Sequence, residues 1–395
     1  MTRTDLFTLV HMRFIPLFLI AAIALPAAAV TPVTAPDVVA DKAVEYLVKN
    51  QQPNGSWQRS DREPPAVTAL VLRTVIASPK YGPTSEPAKK AIAYLVSVQQ
   101  ANGGIYKDML ANYNTAISVS ALAAVNDPAL KPVIDKAVGY LKGVQWTDAI
   151  AGAGGKKIDP NDPQYGGWNY GGAKGGTADV SNTAIVLEAL HDSGLKENDP
   201  AYENALKFLT RLQNNSETNK APWAGNDGGF IYNPGKNGEG NSAAGEYTTP
   251  DGKRMLRSYG SMTYGGLKSM IYAGISKDDP RVKAAWKWVG ENFTVSEHPG
   301  MAANGPESAK DGIFYYYHTM ARALAAYGEP TITDKAGKTH DWRVELLNKL
   351  AEVQKSDGSF VGTKQWMENS PTIATAFAVL AVQEAAKDLK AHPAK

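Results

Sequence analysis

Apolar residues recur at helical spacing in six stretches whose remaining positions are filled by Lys, Glu and other polar residues: 38–51, 87–100, 132–145, 200–213, 280–292 and 342–354. In the first two, Val44 and Leu47, then Ala91, Tyr94 and Leu95, share one face. This pattern predicts amphipathic helices with one wet side. Several open on an acid beside proline, as at Glu86-Pro87, Asp199-Pro200 and Asp279-Pro280. An acid at the positive end followed by an early Pro is a helix-start signal. Between these stretches lie others that are apolar almost all round, such as 115–125, 183–190 and 375–382. Helices of that kind are surrounded by protein. Each is read as opening on Thr: Thr68, Thr115, Thr183, Thr263, Thr319 and Thr375.

Outer amphipathic and inner buried helices therefore alternate in six pairs. One pair cannot cover its apolar surface, whereas stacked pairs can, and six can close a ring that leaves no exposed end. The fold expected is all-α, an α6–α6 toroid. The joint within each pair is a recurring phrase: QQPNGSW (51–57), QQANGGIY (99–106) and QKSDGSF (354–360), with looser copies YGGW (165–168), DGGF (227–230) and DGIF (311–314). Gln at a helix end can bond backbone of the next unit, Gly permits the turn, and the aromatic ring covers the joint. Gln51, Trp57, Gln99, Gln354 and Phe360 accordingly read as staples.

Inner-to-outer links are short, as at 126–130 and 191–199. Outer-to-inner links reach great length at 146–179, 214–258 and 293–315. Long loops in a compact domain are usually functional or disordered. In an antiparallel ring they emerge on one end, so the working face is expected at the inner-helix N-termini. The loops also carry Trp168, Tyr170, Trp223, Tyr232 and Tyr247.

Composition narrows the compartment and the partners. Residues 1–29 have Arg3 and Arg13 before an apolar run and end on Ala27-Ala28-Ala29. That is the pattern of a cleaved signal peptide, followed by one toroid domain over 30–395. A secreted or periplasmic location is expected, without an integral membrane segment after cleavage. The net charge of +2 has no basic stripe, so nucleic acid is excluded as a partner. With no Cys there is neither a disulfide nor a thiolate ligand.

The Gln–Gly–aromatic phrase resembles the QW repeat of squalene–hopene cyclases and of protein prenyltransferase beta subunits, over about residues 38–385. The resemblance implies a terpenoid-cyclase α/α toroid around a central cavity. It also implies a D-x-D-D-T-A motif whose middle Asp protonates the substrate. The matching stretch here is Asp179-Val180-Ser181-Asn182-Thr183-Ala184. Only the first Asp is present, and Ser181 stands where the acid would. The zinc site of prenyltransferases and the thioester of complement-like toroids both need Cys and fail here.

Near the expected mouth lie Tyr113, Asn114, Trp168, Tyr170, Asn182, Tyr259, Tyr316 and Tyr317 as ligand-binding candidates. Asp179 and His318 are the weak catalytic candidates. Asn114, Asn182 and Asp179 suit helix capping equally well. No cofactor or metal is expected. The leading reading is a repeat protein without the cyclase acid that binds a small apolar or carbohydrate ligand, or a protein, at the loop-rich face. Two alternatives stand: a divergent isoprenoid cyclase or transferase, and a carbohydrate-active hydrolase or lyase. The latter would draw its acids from Asp159, Asp162, Asp227, Glu239, Glu246 and Asp251. An apolar aromatic chamber would favour isoprenoid chemistry, and an open acidic cleft carbohydrate chemistry.

Overall fold

In the computed structural model, residues 34–57, 64–148, 158–171 and 176–393 are described. The expected signal, 1–29, lies outside them. The outer helices are α1 (Pro36–Lys49), α3 (Glu86–Ser97), α5 (Lys131–Gly143), α7 (Pro200–Thr210), α9 (Pro280–Asn292) and α11 (Trp342–Val353). The inner helices are α2 (Ala66–Ala77), α4 (Ala111–Val125), α6 (Val180–Asp192), α8 (Gly260–Tyr272), α10 (Ile313–Tyr327) and α12 (Pro371–Ala391). Each inner helix packs on the next, and α12 returns to α2, so the ring closes. The α6–α6 toroid is therefore the observed architecture. Two hairpins add to it: β1 (Glu246–Thr248) with β2 (Arg254–Leu256), and β3 (Thr331–Thr333) with β4 (Thr339–Asp341), both antiparallel.

The repeat phrase works as a two-part clasp. Each Gln lies just beyond its outer helix, and its side-chain amide donates twice. Gln51 reaches Gly55 O at 3.0 Å and Pro87 O at 2.9 Å. Gln99 reaches Gly103 O and Val133 O, Gln145 reaches Gly166 O and Ala201 O, and Gln213 reaches Gly228 O and Arg281 O. Gln354 reaches Gly358 O and, across the closure of the ring, Val39 O at 2.9 Å. In every case the second acceptor is in the first turns of the following outer helix. The glycine of each phrase has φ between +88° and +92° at residues 55, 103 and 166. A Cβ at Gly166 would stand 1.9 Å from Asn204 O, and one at Gly358 2.4 Å from Lys42 O. The positive φ and this backbone approach together demand glycine.

The threonines are placed differently from the sequence expectation. Inner helices start before them: α4 begins at Ala111, four residues ahead of Thr115, and α10 at Ile313, six ahead of Thr319. Thr sits inside the helix, and its hydroxyl accepts the backbone N–H of the joint. The donors are Trp57, Ile105, Trp168, Phe230 and Phe360, at 2.9–3.2 Å. The sixth phrase, DGIF, departs from the pattern. Ile313 and Phe314 are already in α10, so this copy forms no joint, and the third long loop ends before 313. Asn292 occupies the Gln position and bonds only Trp288 O within its own helix.

The centre of the ring is crossed by a buried charged hub. Glu188 on α6 accepts from Arg73 on α2 at 2.9 Å, from Arg322 on α10 at 3.1 Å, and from Lys268 on α8. Arg322 also meets Asp192 at 3.3 Å and Glu384 on α12 at 3.1 Å. Burial opposes ionisation of Glu188, but Lys268, Arg322 and Arg73 outweigh it and hold its pKa well below the ordinary value.

Removing the Glu188 carboxylate takes the ion-pair partner from Arg73 and Lys268, while Arg322 keeps Asp192 and Glu384. Glu188→Ala is expected to lower stability by about 3–5 kcal/mol in chemical denaturation. Gln213→Ala, which strips two carbonyls of their donor, should cost about 1–3 kcal/mol. Gly166→Ala should cost more than Gln145→Ala, because it collides with backbone instead of losing a bond. Equal midpoints for Gly166→Ala and the wild type would contradict the clasp.

Candidate functional site

The Thr register also sets which residues face the centre. The residue two before each Thr lines a cavity at the inner-helix N-termini: Ala66, Tyr113, Ser181, Ser261 and Ile373. In the fifth repeat the longer N-terminal extension of α10 puts Tyr315 there instead of Tyr317. The chamber measures about 290 Å³. Its walls are apolar and aromatic, with Leu70, Tyr170, Tyr232, Tyr259, Met262 and Phe377 among them, and no Asp, Glu, Lys, Arg or His of the described residues lines it. Tyr113 and Tyr170 meet with ring centroids 5.9 Å apart, and Tyr315 and Phe377 at 5.6 Å. Leu70, Tyr113, Tyr315 and Phe377 also border a void of about 20 Å³ that touches Glu188 and His318. They form the floor between the chamber and the charged hub.

The rim carries backbone strain. Leu110, Trp366 and Met367 all line the chamber and all have positive φ, at 54°, 51° and 63°. This conformation costs a non-glycine residue about 1–2 kcal/mol and is kept only where surroundings over-determine it. At Trp366 and Met367 the neighbouring Glu368 supplies that constraint. It is buried, and its Oε1 accepts the Tyr315 N–H at 2.7 Å at the start of α10. Thr363 adds a bond to Asp311 at 2.8 Å. Trp366 and Met367 remain 41% and 50% exposed. Burial raises the Glu368 carboxyl to about 7.

Several sequence candidates prove structural. Asn114 is buried, accepts the Ala66 N–H at 3.0 Å and donates to Met109 O at 2.8 Å. Trp168 is wholly buried and donates Nε1–H to Leu141 O at 2.7 Å. Tyr316 and Tyr317 turn outward and donate to Thr294 O and Val295 O. His318 is not at the mouth; it lies one and a half turns inside α10, beside the hub. Burial holds it neutral, with a pKa near 3, although Glu188 pulls the other way. Its Nδ1 has no hydrogen-bond partner among the described residues. Tyr113, Tyr170 and Tyr259 do line the chamber.

Asp179 caps α6. Its carboxylate accepts the Asn182 N–H at 2.7 Å and the Asn182 side-chain amide at 2.8 Å. Asn182 is thereby used in the cap rather than in the chamber. Burial lifts the Asp179 pKa to about 7 against the pull of Asn182, Tyr232 and Ser181. It stands behind the wall, while Ser181 reaches the chamber and meets Tyr315, Oγ to hydroxyl, at 2.8 Å. Sequence reasoning missed Tyr315, Ser261 and Phe377 as lining residues. Their signal was the spacing of two before, four before or two after the repeat Thr. Among the described residues no three His, Asp or Glu converge to hold a metal.

The raised Asp179 pKa has a definite sign. A carboxyl that holds its proton more tightly when folded stabilises the fold at low pH. That contribution is complete below about pH 4, the unfolded value, and is lost as pH rises through about 7. Asp179→Asn removes it. Across this window the variant should gain on the wild type by about 1.4 kcal/mol per pH unit at most. Thermal denaturation of both proteins at pH 5 and pH 8 checks this; a pH-independent difference in midpoint would contradict it.

A family model described as the squalene-hopene cyclase C-terminal domain matches residues 60–226. No curated protein matches. Among solved structures, the type II terpene cyclase MstE from Scytonema, in complex with merosterolic acid A as product, is 15% identical with a TM-score of 0.53. The match covers 90% of this chain and 98% of that one. The GH76A α-1,6-mannanase from Salegentibacter sp. is 12% identical with a TM-score of 0.52, over 89% of this chain and 99% of that one. A family 76 glycoside hydrolase from Bacteroides thetaiotaomicron is 11% identical with a TM-score of 0.51, over 88% and 78%. At these identities the structures show a shared fold. The chain is thus an α6–α6 toroid that matches the squalene-hopene cyclase C-terminal domain over part of its length.

Proposed function

We propose that this protein binds an apolar, isoprenoid-class ligand in the chamber at the inner-helix N-termini and does not cyclise it. The observation that carries the reading is the lining itself: an aromatic, uncharged chamber with Ser181 at the acid position. Ligand pockets of about 300–1,000 Å³ with mostly apolar walls and few polar groups are the usual form of a small-molecule site. The volume here, about 290 Å³, suits a short isoprenoid rather than a triterpene. Protonating an alkene requires a strong acid in contact with it. Ser181 cannot serve, and Asp179 is both turned into its helix cap and weakened by burial to a pKa of about 7. The related cyclase is seen with geranylgeranyl dihydroxybenzoate as substrate, which supports an apolar ligand class.

The carbohydrate reading finds less support. Asp227 accepts from Gly229 and Ser258, Glu239 from Lys236 and Asn237, Glu246 from Arg254, and Asp251 from Thr249. Asp159 and Asp162 cap turns at Asn161 and Gln164. None of these six acids lines the chamber. The related mannanase is inactive when two adjacent aspartates are replaced. The adjacent pair here, Asp278-Asp279, sits at the start of the outer helix α9, where Asp279 caps Arg281. Export with loss of residues 1–29 completes the proposal and would place binding in the periplasm or outside the cell. Among the described residues no helix is long and apolar enough to cross a membrane.

A fluorescent polyprenol analogue titrated into the mature protein should bind saturably and be recovered chemically unchanged. Leu70→Trp, which fills the chamber, should abolish that binding while circular dichroism shows an intact fold. A cyclised product from farnesyl, geranylgeranyl or squalene substrates, lost in Asp179→Asn, would overturn the reading.

A further inference from the structure

The chamber is uneven in polarity, and the unevenness points to one kind of ligand. The α2 and α12 side offers Val67, Leu70, Ile373 and Phe377. The α6, α8 and α10 side offers hydroxyls, of which Ser181 and Tyr315 are joined at 2.8 Å. We propose that this hydroxyl pair is a headgroup site. Its ligand is an amphiphile with one uncharged oxygen, an alcohol or carbonyl at the end of an apolar chain, and neither a bare hydrocarbon nor an anionic lipid. The inference rests on the binding function proposed above and names the chemistry of that ligand.

Hydroxyl arithmetic supports it. Ser and Tyr bring one O–H donor each. Their mutual bond uses one donor whichever oxygen gives it: with Tyr315 as donor the Ser181 O–H remains, and with Ser181 as donor the Tyr315 O–H is shared between Thr319 and the chamber, with free lone pairs in both cases. Placed in an apolar chamber, that donor is costly when unmet, and a ligand oxygen meets it. Charge excludes the other headgroups. No Lys, Arg or His of the described residues lines the chamber, so a diphosphate or carboxylate would be stripped of water with only the partial charges of helix N-termini, and no full counter-ion, to replace it. The Asp179 carboxyl behind the wall adds to that penalty when ionised. A cation is disfavoured in turn, because the positive ends of α6 and α8 face the chamber and no carboxylate among its described lining residues compensates. An uncharged oxygen is what remains.

The test is a competition titration of the full mature protein. Farnesol, the hydrocarbon of matching chain length and farnesyl diphosphate displace one fluorescent polyprenol analogue. Farnesol should bind about five- to tenfold more tightly than the hydrocarbon, as one hydrogen bond allows, and the diphosphate most weakly. Either hydroxyl alone still offers one O–H, so Ser181→Ala and Tyr315→Phe should each keep part of the preference for farnesol, whereas the double variant should bind farnesol no more tightly than the hydrocarbon and show the wild-type circular dichroism spectrum. Equal affinity for farnesol and hydrocarbon, or tightest binding by the diphosphate, overturns the headgroup site and leaves the binding function standing. Failure of all three ligands to bind overturns the binding function, and the headgroup site with it.

Discussion

Everything in this molecule depends on the clasp between a Gln amide and two carbonyls, locked by a glycine pressed against the neighbouring helix. Buried or half-buried carbonyls at helix ends need donors, and one side-chain amide serves a carbonyl from each of two successive repeats. The bond from Gln354 to Val39 O is the same clasp closing the ring. Because each clasp fixes the following outer helix, the Thr hydroxyl that receives the joint backbone fixes the matching inner helix. The inner helices are thereby held in register, and in five of the six repeats the residue two before the Thr is delivered to one central chamber.

The clasp would build an open tunnel if the inner helices did nothing more. Glu188 prevents this by drawing Arg73, Lys268 and Arg322 from three other inner helices into one buried hub. The centre is thus divided into a charged half toward the inner-helix C-termini and an apolar, aromatic half toward their N-termini, with Tyr113, Tyr315 and Phe377 between. His318, neutral from burial, belongs to the charged half. A blind chamber with one strained rim is the result.

The ring was legible because its causes are local and repeated. Helical periodicity, Pro-led helix starts and the Gln–Gly–aromatic phrase each appear several times, so chance agreement is small. The site was legible only in part. Tyr113, Tyr170 and Tyr259 could be named from nearness to an inner-helix start. Tyr316, Tyr317 and His318 were misplaced because α10 begins six residues before Thr319 and rotates them away from the chamber. Asn114, Asn182 and Trp168 have the chemistry of ligand groups, yet the backbone claims Asn114 and Trp168 first and the Asp179 carboxylate claims Asn182. The role of Glu368 was invisible, since its bond to the Tyr315 N–H spans residues that only the folded loop brings together.

A shared fold with terpene cyclases and mannanases leaves function to be argued from the site. Here the chamber is apolar and Ser181 lines it, and the proposed function rests on that lining. The most direct measurement is photo-crosslinking of the mature protein with a diazirine-bearing farnesol analogue, followed by mass-spectrometric mapping of the adducts. The account predicts adducts concentrated on chamber residues such as Leu70, Met262 and Phe377. Adducts confined to the outer helices, or to the separate groove that Asp37 and Ala40 of α1 line with Gln383 and Lys387 of α12, would contradict it.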